Sequence, residues 1–182
     1  MRAVIDRPYS YNHLMATDTT RALLRHLAAT LAYRAAKALR DAPTDFPDFS
    51  IGPNTRKPVQ ILAHMADLTA WAARMAQGEF VWRADGSGEW EKERRRFFDG
   101  LAALDSVLAS DVELEQRIVQ SLIQGPLADA LTHVGQLTLI RGAAGSAVRP
   151  ESYPRAEIVA GRVGFDQAAP GYEFDGDASA RS

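Results

Sequence analysis

Three observations predict an all-α protein. Alanine and leucine, 31 and 17 of 182 residues, make up about a quarter of the chain without a matching wealth of β-branched residues, and that composition favours helix. The nine prolines leave open windows at 9–42, 59–125 and 127–149. A proline inside a helix costs about 3 kcal/mol, so long helices belong in those windows. Within them the apolar residues recur at helical spacing. Four amphipathic helices, with a longer connection between the second and third, predict a four-helix bundle over about 11–146. An irregular extension follows over about 147–182, and the whole chain forms one domain.

The first helix opens near Thr17 to Thr19, with Asp18 or a threonine as N-cap. Its stripe is Leu24, Leu27, Leu31, Ala35 and Ala38. The second runs from about Arg56 to Gln77 and stops at Gly78, with Ile61, His64, Leu68, Trp71 and Met75 on one face. The turn-forming run Asp85-Gly86-Ser87-Gly88 separates it from a third helix over about Gly88 to Ser110. That helix carries Trp90, Phe97, Leu101, Leu104 and Leu108 on its stripe. Gly100 interrupts it at a cost of about 1 kcal/mol relative to alanine. The mixed run Glu91 to Arg96 reads as a solvated face with i,i+4 pairs. After a short segment near 113–123, the fourth helix opens at Gly125-Pro126, with proline at its first position. It ends in the region of Gly142 and Gly145, and its stripe is Asp129, His133, Leu137, Ile140 and Ala144. Beyond Ser146 the chain has no strong periodicity.

Charge and composition narrow the functional classes. Lys and Arg number 21 against 23 Asp and Glu, a net charge of −2, which gives no electrostatic reason to expect a nucleic-acid partner. No apolar run approaches the roughly 18 residues of a membrane span, and the N-terminus lacks the apolar core of a signal peptide. A cytoplasmic protein with no membrane partner is expected. Cysteine is absent, so disulfides, thiolate metal sites and a sulfur nucleophile are excluded.

Two stripes carry polar groups where apolar ones are expected. His64 occupies the inward register of the second helix, and Asp129 and His133 that of the fourth. Residues four apart lie one turn apart on one helix face and can converge on one point. A buried carboxylate without a partner is costly, so Asp129 must be paired or must coordinate something. Three readings follow: a metal ion shared by all three groups, an ion pair between Asp129 and His133, or Asp129 as a first-turn charge against the helix dipole near Pro126. Gln136 either orients a water on such an ion or packs against a helix beside Gly135. Asp67 is either a hydrogen-bond partner supporting His64 or a solvated flank. Arg141 either holds an acidic substrate group or serves as a helix C-terminal charge. Trp71, Trp82 and Trp90 read as core or loop packing, or as the mouth of a pocket. His26 is placed to face the core, His13 precedes the first helix, and Glu151 and Tyr153 follow a turn that would fold over the site opening.

The strings GPLADALTHVGQLTLIRGAAGS at 125–146 and ILAHMADL at 61–68 resemble the DinB/YfiT-like superfamily of metal-binding four-helix bundles. Those bundles carry one histidine on the second helix and two more in an H-x-x-x-H-R-G-Q run on the fourth. The resemblance covers about 11–146. It implies His64 as first ligand, His133, in His133-Val134-Gly135-Gln136, as third, and Asp129 where the family has histidine. Arg141 stands for the family arginine a turn beyond Gln136. Two imidazoles and one carboxylate suit a divalent Zn, Ni, Fe or Mn ion with positions left open. The resemblance implies a metal-dependent enzyme acting on a small-molecule substrate, by thiol-dependent transfer or isomerisation with a low-molecular-weight thiol cosubstrate, or by hydrolysis. It also implies a homodimer. The alternative is a non-enzymatic small-molecule-binding or dimerisation bundle that has lost the metal.

Overall fold

The computed structural model describes residues 17–175 and is all-α. Among the described residues there is no strand, only an isolated bridge between Glu151 and Glu173. Helix α1 spans Asp18–Leu39, α2 Pro58–Met75, α3 Trp90–Ala109, α4 Gln116–Leu122 and α5 Ala128–Ala143. Helix α2 packs along α3, and α1 and α2 each touch both α3 and α5. Leu31, Leu62, Met65, Phe97, Leu101 and Leu104 are fully or almost fully buried between them. Burying such a side chain contributes about 1.5–3 kcal/mol. No described helix is long and apolar enough to cross a membrane.

Local chemistry sets the helix ends. The Thr17 hydroxyl accepts from the Thr20 amide at 3.1 Å, capping α1. Proline occupies the first position of α2, and the Gln60 amide oxygen accepts from the Lys57 amide at 2.9 Å. Gly145 ends α5 at φ 76°, where its amide and that of Ser146 donate back to the carbonyls of Gly142 and Arg141. This left-handed reversal satisfies carbonyls that the helix leaves unpaired. Gly100 is a packing requirement rather than a defect in α3. A Cβ there would lie 2.8 Å from the Ala70 nitrogen and 2.9 Å from the Thr69 carbonyl carbon. The Thr69 hydroxyl, meanwhile, donates to the Phe97 carbonyl at 3.1 Å. Glycine lets α2 and α3 approach that closely.

Two expectations about local structure need correction. The segment before α5 contains helix α4, joined to α5 through a wide π turn at Ile123–Leu127. Gly125 breaks the helical dihedrals (φ −98°, ψ −107°) and Pro126 resumes the helix after the kink. The charged run in α3 is not wholly solvated. The Glu93 side chain is 0 % exposed; it accepts from the Ser87 amide and hydroxyl at 2.5 and 2.6 Å and pairs with Arg96. Burial opposes the charge of Glu93, but these donors outweigh it and hold its pKa below the usual carboxylate value. The same Arg96 reaches Asp67 at 2.5 Å, so one guanidinium ties α3 to α2.

The chain after α5 is irregular, as expected, yet firmly attached to α1. Glu151 accepts from the Tyr33 hydroxyl and from Lys37, both at 2.8 Å. Lys37 also meets Glu173 at 2.9 Å. Tyr153 lies under the Arg34 guanidinium, 4.1 Å from its ring centroid. Further along, Phe165 stacks on Phe98 and under Arg94. The second half of α1 is therefore buried on nearly every side. Glu151 and Tyr153 consequently pack on α1 and do not cover the α2–α5 site. His26 is exposed rather than facing the core, and His13 lies outside the described residues.

Candidate metal centre

His64 projects from the middle of α2, and Asp129 and His133 from the first two turns of α5. One ligating atom from each lies within 4.8 Å of the other two. Asp129 bridges the two rings, its Oδ2 3.3 Å from His64 Nε2 and its Oδ1 3.3 Å from His133 Nε2. The rings stand nearly perpendicular, with centroids 4.9 Å apart. Two donors held at about 2.05 Å by a tetrahedral zinc-like ion are themselves about 3.3 Å apart, which each of the two carboxylate–imidazole contacts matches, although through different oxygens of Asp129. The fit extends to donor type, since nitrogen and oxygen ligands both suit first-row divalent ions.

Gln136 strengthens the arrangement. Its Oε1 lies 2.7 Å from His133 Nδ1, where it accepts the ring N–H. That bond leaves the Nε2 lone pair pointing toward the Asp129 carboxylate. A lone pair facing a carboxylate oxygen is repulsive unless a cation lies between them or the ring carries a second proton. Ligating histidines characteristically donate their other N–H to an oxygen in this way.

Exposure of the three side chains differs. His133 is 9 % exposed, His64 27 % and Asp129 45 %. Asp129 thus sits at the rim rather than in the core, and burial does not oblige its charge to be neutralised. The geometry around it carries the site instead. Arg141 stands in the last turn of α5, as expected, and both it and Asp67 reach partners on other elements. The buried Arg141 guanidinium donates to the carbonyls of Ala38, Arg40 and Asp41 and to Ser146. It closes the C-terminus of α1 and does not line the cleft beside His133 and Gln136, but lines a separate one with Lys37, Arg40 and Arg149. Burial pushes its pKa down from the usual guanidinium value. Asp67 is buried and is held by partners other than His64. Besides Arg96, it accepts from the Asp85 amide at 3.1 Å, anchoring the loop between α2 and α3.

That loop supplies an aromatic flank. Trp82 packs edge-on against Trp71 with centroids 5.4 Å apart and lies 5.6 Å from the His64 ring. The Trp71 indole N–H donates to the Phe80 carbonyl at 3.1 Å, holding the loop in place. Trp90 instead packs on Phe46, away from the site. On the other flank a cleft of about 340 Å³ opens beside His133 and Gln136, lined by Ile51, Thr55, Arg56, Ile61, Leu139 and Ile140. Sequence reasoning missed this cleft. Its one visible signal is Leu139, an apolar residue off the α5 stripe, here 71 % exposed.

No protein-family model, curated protein or solved structure matches the chain. The site's chemistry therefore rests on its own residues.

Proposed function

We propose that this chain is a metal-dependent enzyme built as a DinB/YfiT-like four-helix bundle. In this reading His64, Asp129 and His133 hold one divalent ion, Zn, Ni, Fe or Mn, and a small-molecule substrate reaches it from the adjoining cleft. The observation that carries the reading is Asp129 centred between two imidazole nitrogens, with Gln136 holding the far nitrogen of one ring. A divalent ion there supplies Lewis acidity, lowering the pKa of a water or of a small-molecule thiol. Hydrolysis, or thiol-dependent transfer or isomerisation, follows from that chemistry. The absence of cysteine means that any sulfur arrives with a ligand.

The protein's own groups have distinct roles. Gln136 fixes the ring of His133 so that Nε2 faces the site. Asp129 brings a negative charge where a third histidine would bring none, which lessens the ion's acidity and widens the choice toward the harder Fe and Mn. Trp82 shields the His64 flank from water. The competing reading is a non-enzymatic small-molecule-binding or dimerisation bundle that has lost the metal, in which Asp129 and His133 form an ion pair, since a 3.3 Å contact serves that equally well.

Metal content decides between them. Protein purified without chelator is expected to carry close to one divalent ion per chain, and His64→Ala to lose it. Because an ion that binds only the folded state stabilises it by mass action, chelation should also lower the melting temperature. A protein that takes up none of Zn, Ni, Mn or Fe on titration is instead the binding bundle.

A further inference from the structure

We infer that the cleft beside His133 is a subsite for a small amphiphile bearing one anionic group, with its apolar body along α5 and its anion on Arg56. The assignment deepens the proposed function and relies on it in one respect only, that the occupant's reacting end points toward His133. The lining divides by chemistry. Ile51, Ile61, Leu139 and Ile140 form an apolar wall, while Arg56 is the only Lys, Arg, Asp or Glu among the lining residues. Arg56 is exposed and has no ion-pair partner among the described residues. No carboxylate lines the cleft to repel an anion. The volume of about 340 Å³ falls at the small end of ligand sites, which are mostly apolar with a few placed polar groups.

The layout also sets a length. Toward the start of α2 the lining passes from Ile61 back to Arg56, and on α5 it passes from His133 forward to Ile140. Seven residues of helix rise about 10 Å, so an occupant of that length lies along the wall. Exposed apolar side chains in such a wall, Leu139 at 71 % and Ile51 at 49 %, lose contact with water when it is filled. A guanidinium forms paired, charge-assisted hydrogen bonds with a carboxylate, which favours an acid over a neutral analogue.

Calorimetric titration with octanoate, and separately with 1-octanol, tests this on the full chain, both chelator-treated and loaded with zinc. Octanoate is expected to bind the chelator-treated protein, with Arg56→Gln weakening it by about tenfold or more, the worth of a charged hydrogen bond. The same variant should leave 1-octanol binding unchanged, and Leu139→Asp, at an exposed position, should abolish binding of both. Binding that requires zinc and ignores Arg56→Gln would put the carboxylate on the ion and overturn the assignment. So would octanoate failing to bind while Leu139→Asp converts a dimer to monomer by light scattering, because a second copy would then cover the wall. Octanoate binding to protein that takes up no metal would leave the subsite standing while the metal reading falls. Metal uptake without octanoate binding would do the reverse.

Discussion

Lys37 and Asp129 each sit between two groups of potentially opposite charge, in very different surroundings. The Lys37 side chain is 5 % exposed, between Glu151 at 0 % and Glu173. The Tyr33 hydroxyl completes the hydrogen bonding of Glu151, so each charge in the cluster is met by a direct partner. Asp129 is 45 % exposed, and its histidine partners stand at the longer distance of 3.3 Å. Around the cluster, Ile51 and Leu139 in the cleft beside His133 and Trp82 beside His64 leave much of their apolar surface open to water. A cluster closed on itself locks the extension to α1. A cluster with loose contacts, open rims and bare apolar walls has capacity left for something else. The contrast separates a charge enclosed by its partners from one whose proposed role is ligation.

The largest expected effect lies in the closed cluster. Glu151→Gln leaves Lys37 buried with a single carboxylate, and unfolding in urea is expected to show a loss of about 3 kcal/mol, the low end for breaking a buried pair because Glu173 remains. A loss under about 1 kcal/mol would mean that the cluster is no tighter than a surface pair, and the comparison would break.

Alkali should act on the same cluster and spare the other. Burial and the bond to Glu151 push the Tyr33 phenol well above its ordinary value of 10.0. Burial works against the charge of Lys37, but hydrogen bonds to Glu151 and Glu173 outweigh it and hold its pKa above 10.5. Both folded values are raised, so the stability that they contribute is fully present below the unfolded values and lost as pH rises through the folded ones. Amide hydrogen exchange in 150–175, corrected for its intrinsic pH dependence, should therefore accelerate above pH ~10 while that of α2 does not. Acceleration beginning near neutrality would show that other groups hold the extension.

In the open cluster the effects should appear in ligation rather than folding. Gln136→Leu frees the His133 ring, and metal affinity measured by competition with a chelator should fall by about 10–100-fold. Unchanged affinity would make the 2.7 Å bond incidental. The smallest effect is expected for Asp129→Asn in chelator-treated protein. Its stability should change by less than about 1 kcal/mol, as for exposed ion pairs, although metal binding weakens. A loss of several kcal/mol would place Asp129 with Lys37 as a structural charge.

Helix positions were readable because their determinants are local. Thr17, Pro58, Gly78 and Gly145 mark ends by cap chemistry or positive φ, and the stripes of α1 to α3 are largely core. The cross-helix trio followed from register together with the family resemblance, and those residues do come together. Elsewhere, spacing says which face a residue shares but not what arrives from far along the chain. Glu93 looked solvated because Ser87 and Asp67, which meet it or its partner Arg96, belong to a loop and another helix. Arg141 does stand in the last turn of its own helix, as its position suggests, but its guanidinium also serves the end of α1, about a hundred residues earlier. The extension has no period to read because it is held by a few separate anchors, of which Glu151 and Phe165 are the clearest.

The wide turn at Ile123–Leu127 has a consequence for how such a site can change. An α-helix advances about 100° per residue, so removing or adding one residue at the kink would rotate all of α5 by that phase against α2. Asp129 and His133 would swing together, their one-turn spacing intact, while His64 stayed behind. Two of the three residues are thus rigidly inherited along one helix, and their meeting with the third depends on the length of a five-residue joint.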